Sequence, residues 1–370
     1  MVTNLLPISF VAAILAIVAM AQNFSPKIGP TKPHERSNPI TYDITAQLVF
    51  TPPFGTKVAH VWIVKPPDDD GQKLLEFETE PKPTLEAPDP IYGNQLVYFR
   101  FDEPDGAQVI RYRLKMRTWE LRWNIDPSKV TAYREAAMTE WLRNESHIVT
   151  DDPRVRALAR KIVNGSTEPF ERVRRILEFI MDAMNYSHGE CSLKASALHA
   201  LTKRVGHCSD YHGFATALLR SAGIPSRVTY GITPLKRRSP SHCKLEVFLP
   251  PYGWVPFDLS ETDKLLEQIM KSKLPADAKE RKRKEILSWL FSGFRDNTWY
   301  RVTVGTDFPV VPSIAPKPPV IRTAYIVCDD KVLPDPDPQN PNKMEFAWQL
   351  VWEAKPDNPV TYPWSLWIKP

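Results

Sequence analysis

Cysteine is scarce in this chain: 370 residues contain four, Cys191, Cys208, Cys243 and Cys328. None of them stands in a C-x-x-C pair, and no H-E-x-x-H occurs, so His188, His207, His212 and His242 lack the spacing of a zinc site. No metal and no cofactor is expected. Asp68-Asp69-Asp70-Gly71 resembles part of a calcium loop, but it has neither the alternating ligands nor the closing glutamate and reads as a turn. An excess of one charge is missing as well. The 48 Lys+Arg face 43 Asp+Glu, a spread-out +5 that gives no basis for nucleic-acid binding. Internal repeats are absent.

Proline is what the chain has in abundance. Its count of 37, about twice the usual share, argues for many loops, turns and edge strands rather than a helix bundle. With 42% hydrophobic residues the chain can bury a sizeable core in two or three units. Leu5 to Ala21 stands apart from these units: it is apolar and uncharged and ends on Ala19-Met20-Ala21, an A-x-A cleavage pattern before Gln22. Residues 1–21 are therefore expected to be a signal peptide cleaved after Ala21, which makes the protein exported: periplasmic, cell-surface or secreted. Left uncleaved, the same segment would be an N-terminal membrane anchor, and no other membrane insertion is expected. Export puts the cysteines in an oxidising compartment. With Cys208 kept free, at most one disulfide can form among Cys191, Cys243 and Cys328, and the pairing stays open.

Residues 22–128 read as a β-rich domain. Ile110, Tyr112, Leu114 and Met116 alternate with Arg111, Arg113, Lys115 and Arg117, a half-buried strand with a basic, solvated outer face. Trp119, Leu121 and Trp123 continue in the opposite phase, so a bulge is expected near Thr118. Residues 129–308 mix helices and strands. Helices are expected over Tyr133–Leu142, from the capping pair Asp152-Pro153, from near Thr167 with Phe170, Val173, Ile176, Leu177 and Ile180 on one stripe, and from Ala195 to Arg204. A helix from Cys208 to Gly223 follows, then a strand from Ile224 to Tyr230, a basic loop Lys236–Pro240, two strands flanking Pro250-Pro251-Tyr252-Gly253, and a charged, solvated helix Lys271–Lys284. Five prolines between Pro309 and Pro319 mark a stiff linker. Residues 309–370 then end in a β-rich segment, where Met344, Phe346, Trp348, Leu350 and Trp352 alternate with polar residues.

Cys208 stands where the Gly206-His207 turn gives way to an apolar helix. The first peptide N–H groups of a helix lack intrahelical partners and favour a thiolate over a thiol. His207 and His212 flank it and are read as surface or supporting residues, and Asp210 as support for the helix N-terminus. In the strand after Ser241, the apolar residues Cys243, Leu245, Val247 and Leu249 take the core side, so His242, Lys244 and Glu246 face away from it. Val255 and Phe257 take the core side of the next strand, which leaves Asp258 on the face of His242. A five-residue loop, Leu249 to Gly253, pairs Phe248 with Trp254 and Lys244 with Asp258, and sets His242 diagonal to Asp258, ~7–8 Å away at Cα. Cys208 would be nucleophile, His242 its base and later the acid, and Asp258 the group that orients the imidazole.

Gly206-x-Cys208-x-Asp210-Tyr211, then Ala217-Leu218-Leu219-Arg220-Ser221-x-Gly223-Ile224-Pro225-Ser226-Arg227 and Gly231, then His242 to Glu246 and Gly253-Trp254-Val255-Pro256-Phe257-Asp258 resemble the core of the transglutaminase-like superfamily over roughly residues 150 to 262. The resemblance implies an α+β, papain-like core, with the Cys-bearing helix packed on an antiparallel sheet, a β-rich domain before it and a short β-rich segment after it. It also implies that Cys208, His242 and Asp258 occupy the positions of the family's catalytic triad, and that the substrate is a protein or peptide amide taken through a thioester to hydrolysis or transamidation. Lys244 stands where the family often has an aromatic residue, and Gly213 where alanine is frequent. Nothing resembles the calcium sites of animal transglutaminases. A catalytically silent binding module at the cell surface is the alternative reading.

Overall fold

The computed structural model describes residues 33–134, 136–235, 241–336 and 348–360. The expected signal peptide, the basic loop Lys236–Pro240 and the strand positions Met344 and Phe346 lie outside the described residues. The chain divides into a unit ending at Pro33 and a unit from His34 onward, and the architecture below belongs to the second.

Six strands come first: β1 (Glu35–Phe50), β2 (Val58–Lys65), β3 (Gln72–Glu80), β4 (Leu85–Pro88), β5 (Gln95–Asp102) and β6 (Gln108–Arg122). Along β6, Ile110, Leu114 and Met116 are buried while Arg111, Arg113 and Arg117 are exposed, the pattern that alternation dictates. The outer basic row is a solvated face: Arg113 pairs with Asp43 at 2.6 Å, Lys115 with Glu76 at 3.6 Å and Arg111 with Glu80 at 3.7 Å. The expected irregularity near Thr118 exists, but the extra residue is carried by the partner strand. Ser37 lies opposite Glu120 and Ile40 opposite Thr118, so Asn38-Pro39 bulges out of β1. Pro39 has no N–H to give the ladder, and Asn38 adopts φ 48.

The helices follow. After a 3-10 segment at Ala136–Leu142, where a regular helix was expected, come α1 (Pro153–Val163), α2 (Pro169–Ala183), α3 (Ala197–Lys203) and α4 (Cys208–Ser221). Asp152 caps α1 through the Arg154 N–H at 2.8 Å. Two short strands, β7 (Asn185–Tyr186) and β8 (Val205–Gly206), pair in parallel just ahead of α4. Next are β9 (Ser226–Ile232), β10 (Ser241–Leu249), β11 (Gly253–Phe257), α5 (Leu259–Lys271) and α6 (Ala276–Ser292). The charged helix expected over Lys271–Lys284 begins only at Ala276, after a break at 272–275, and runs on to Ser292, while Lys271 closes the preceding helix. Leu265 and Ile269 of α5 fold back onto Ile286 of α6, an apolar contact that the surface charges obscured. The last elements among the described residues are β12 (Phe294–Arg295), β13 (Tyr300–Val304), β14 (Ala324–Cys328), β15 (Lys331–Val332) and β16 (Trp348–Pro356).

In the central antiparallel sheet the order is β11-β10-β9-β13. One face packs against α4, where Phe214, Leu218, Val228, Leu245, Val247 and Phe257 share a core. The hairpin register is the one expected, with Phe248 opposite Trp254 and Leu245 opposite Phe257. The second face is not open to solvent as its polar residues suggested: His242, Lys244 and Glu246 are all buried. Ile232, Tyr300 and Val302 join Tyr42, Trp62 and Met116 in a core shared with the N-terminal strands, and this packing covers the sheet. The polar groups there are paired. Glu246 bonds Arg227 at 2.7 Å, and Asp69, read from the sequence as a turn residue, bonds Arg295 at 2.9 Å and Arg301 at 3.1 Å. Residues after 309 return to the beginning of the chain: β14 pairs with β2, and β16 pairs with β1 from Tyr42 to Phe50.

Candidate active site

The turn before α4 is built by Asp210. Its carboxylate accepts the His207 N–H at 3.2 Å, the Ser192 N–H at 3.1 Å and the Ser192 hydroxyl, tying loop 187–192 to the helix start. A side chain at Gly206 would put Cβ 2.5 Å from an Asp210 oxygen, so glycine is required there. Cys208 is the first residue of α4 and partly exposed, whereas Ser209 to Arg220 behind it are buried. Its side chain packs against the edge of the core that contains Cys243, at the first turn of α4.

His242 comes from β10, and Asp258 from the residue directly after β11, where it caps α5. His242 Nε2 lies 2.7 Å from Asp258 Oδ2, which leaves Nδ1 for Cys208. Hydrogen bonds from Cys243 and then His242, with the charges of His207 and His242, overcome burial and hold the Cys208 thiol well below its usual pKa. Burial opposes the imidazolium, but the Asp258 charge and hydrogen bond, together with Cys208, raise His242 to about 9. Burial also pushes Asp258 up; His242 and Lys244 outweigh it and keep the carboxyl well below the ordinary range. These shifts favour a thiolate beside an imidazolium held by a carboxylate.

His207 and His212, read as surface or supporting residues, are both buried, His212 fully. His212 Nε2 accepts the Leu259 N–H at 3.1 Å, and Nδ1 faces the Cys243 sulfur at 3.4 Å. Burial outweighs the pull of Asp258 and Cys208 and lowers it to about 4, so this histidine is neutral. Other residues also reach the site. Lys244 reaches Asp258 at 3.1 Å and Asp296 at 2.8 Å. Trp299 Nε1 donates to the His242 carbonyl at 3.1 Å. Arg322, from beyond the proline-rich stretch, lies 3.5 Å from His207 Nε2 and 2.6 Å from Asp335. Strand parity and hairpin register place Lys244 on the face of His242 and opposite Asp258, and it does reach that carboxylate. Asp296, Trp299 and Arg322 carried no local signal. The phenol of Tyr186 is kept protonated first by burial and then by the nearby Cys208 charge.

A second grouping lies alongside. Cys191, His207 and Asp210 bring one ligand atom each within 4.8 Å of one another, a set compatible by residue type with a triad or a metal. Its hydrogen bonds are spent on closing the loop: the Asp210 oxygens hold the Ser192 and His207 amides, and the Cys191 thiol donates to the His188 carbonyl at 3.0 Å.

A cysteine at the start of a helix, packed on an antiparallel sheet that supplies histidine and aspartate, defines a papain-like α+β core of the transglutaminase type. Residues 156–259 match the family described as the transglutaminase-like superfamily. An uncharacterized protein of Haemophilus influenzae is 21% identical over 317 residues, 76% of this chain and 83% of that protein. A protein-glutamine gamma-glutamyltransferase of Pseudomonas aeruginosa is 29% identical over 147 residues, 34% of this chain, and the match spans only 21% of that enzyme. Among solved structures, a candidate cysteine protease of Cytophaga hutchinsonii shares the fold, with a TM-score of 0.59 over 89% of this chain and 95% of that one at 15% identity. Among the described residues no helix is long and apolar enough to cross a membrane.

Proposed function

We propose that the protein is an exported cysteine-dependent enzyme that opens protein or peptide amides through a thioester, with Cys208, His242 and Asp258 as its catalytic residues. The observation that carries this reading is the continuous set of hydrogen bonds from Asp258 through His242 to Cys208 at the start of α4. The thiolate attacks the amide carbon. The tetrahedral oxyanion is met by the Cys208 backbone N–H, and Tyr186 is a second candidate donor. The C–N bond breaks as His242 Nδ1 gives its proton to the departing amine or ammonia, leaving an acyl-cysteine thioester. His242, now neutral, then takes a proton from water or from an amine, whose attack releases a carboxylic acid or a new amide and regenerates the thiolate. Asp258 holds the ring in orientation throughout.

The family and the glutamine-directed relative make a glutaminyl side chain the first acyl donor to offer. The test supplies a glutamine-containing peptide with and without a labelled primary amine, and follows ammonia release, label incorporation and chain cleavage. Cys208→Ala is expected to abolish every product while keeping a cooperative thermal transition, and Cys191→Ser keeps turnover. Turnover retained in Cys208→Ala and lost in Cys191→Ser would transfer the nucleophile to the second grouping. No product from the intact protein with any amide offered, together with an unreactive Cys208, would favour a silent binding module.

A further inference from the structure

Asp258 has two cationic partners, and the reaction proposed above uses only one. Its Oδ2 takes His242 Nε2 at 2.7 Å and Lys244 Nζ at 3.1 Å. Lys244 is only 3% exposed, and its ammonium is divided between Asp258 and Asp296, the latter at 2.8 Å. Asp296 is itself buried and fixed through Oδ1 by the Thr298 N–H at 3.0 Å. Lys244 also stands 5.3 Å over the ring of Trp299, the ring whose Nε1 holds the His242 carbonyl.

A lysine in this place needs a reason other than stability. Withdrawing an ammonium and two carboxylates from water is costly, and buried ion pairs replaced by apolar side chains of similar volume are often neutral or more stable. What an apolar side chain could not do is compete for the oxygen that holds the imidazole. We propose that Lys244 is a positioning residue that sets the basicity of His242 by sharing Asp258 Oδ2, with Asp296 deciding how much of the lysine charge reaches that oxygen.

The physical effect has a definite sign. A carboxylate bound only to an imidazolium holds that proton strongly; an ammonium on the same oxygen draws off part of the negative charge and repels the imidazolium. The proton on Nδ1 is then released more readily to a departing amine. Asp296 works against Lys244, because an unshared lysine would neutralise Asp258 and leave the ring under-held. The other titratable groups facing His242 and Asp258 are Cys208 and His212 from α4, Cys243 from β10 and Tyr186 from β7. None of these bonds Asp258 Oδ2 in the way that Lys244 does. The catalytic consequence rests on the triad reading, whereas the effect on His242 itself does not.

The two members of the pair should therefore push His242 in opposite directions, which a merely structural role would not produce. The experiment titrates the His242 imidazole by NMR in the full chain carrying 15N-histidine, from pH 5 to 11. Lys244→Met/Asp296→Asn removes the pair together, so that no lone buried charge is left, and is expected to raise the His242 midpoint by about one pH unit, a tenfold tighter hold on the proton. Asp296→Asn alone commits Lys244 to Asp258 and is expected to lower it. On a glutamine peptide that the wild type turns over, the double variant should lose kcat about tenfold at unchanged KM. Both variants must melt cooperatively to count, and Lys244→Leu/Asp296→Leu replaces the first if it does not fold. Midpoints that stay put, or move the same way in both, overturn the proposal. The loss of the triad reading would show instead as Cys208→Ala retaining turnover, with the two midpoint shifts still in place.

Discussion

At the scale of single residues, the charges at Cys208 and His242 make a prediction about pH. His242 is raised from 6.5 to about 9 in the folded protein, so its contribution to stability is fully present below about pH 6.5 and is lost as pH rises through 9. Cys208 is lowered from 9.0, so its contribution is present above 9 and lost as pH falls toward its folded value. Between the two unfolded values the folded chain keeps a proton on the histidine and the unfolded chain keeps one on the thiol. Proton uptake is then equal, and the pair imposes no slope. Cys208→Ala breaks the cancellation and exposes the histidine slope. Denaturant midpoints measured from pH 6.5 to 9 should show the stability gap between wild type and Cys208→Ala widening as pH rises; a gap constant with pH would mean that no thiolate-imidazolium pair exists in the folded state.

The same residues show how far side-chain geometry was legible. His242 and Asp258 could be placed together because strand parity and hairpin register are local properties, and the structure puts 2.7 Å between their polar atoms. The pairing of Lys244 with Asp296 could not be read, since Asp296 comes from a loop whose path depends on tertiary packing. Burial of His242, Lys244 and Glu246 escaped for a related reason. A polar face in a strand normally reads as solvent, and here a second layer covers it.

At the scale of elements, α4 is located by a close approach that only glycine permits. A Cβ on Gly213 would lie 2.2 Å from the Ala195 carbonyl oxygen, a backbone atom that cannot rotate away. Ala195 is fully buried, has φ 59 and precedes Ser196, which caps α3 through the His199 N–H at 3.2 Å. Alanine at 213 must push the loop and α3 away from the Cys208 helix. Gly213→Ala is expected to cost roughly 1–3 kcal/mol, as overpacking does, despite the gain in helix propensity. Urea unfolding measures it, and unchanged stability would show that the loop yields freely. Helices marked by a cap or an apolar stripe, such as α1 after Asp152 and α2 with Ile176 and Ile180, were recoverable from sequence. The α5–α6 pair was not, because its charged surface hid a turn whose only local mark was Pro275. The bulge was recognised as a phase slip on β6, but its bearer, Asn38-Pro39, could be assigned only once β1 was known to be the partner.

At the scale of the whole molecule, the end of the chain is built into its beginning. β16 lies along β1 from Tyr42 to Phe50, and β14 sits between β15 and β2. No periodicity announces such pairing, because it joins strands separated by the entire α+β core. Its energetic meaning follows from burial. Val310, Ile321, Ile326, Val327, Leu333 and Trp348 are all buried in the cores of the N-terminal strands. A fully buried large apolar side chain is worth roughly 1.5–3 kcal/mol, so losing these six removes an amount comparable with the about 5–15 kcal/mol that stabilises a typical domain. Deleting residues 309–370 would also open two sheet edges and remove Arg322 from beside His207. The truncated chain is expected to be insoluble or to lose its cooperative thermal transition, with loss of the core as well, because Ile232, Tyr300 and Val302 of the central sheet share a core with the N-terminal strands. Circular dichroism melts of the full and truncated chains decide the matter. A truncated protein that melts near the full-length temperature would show that the β-rich region and the core hold their structure without the returning strands.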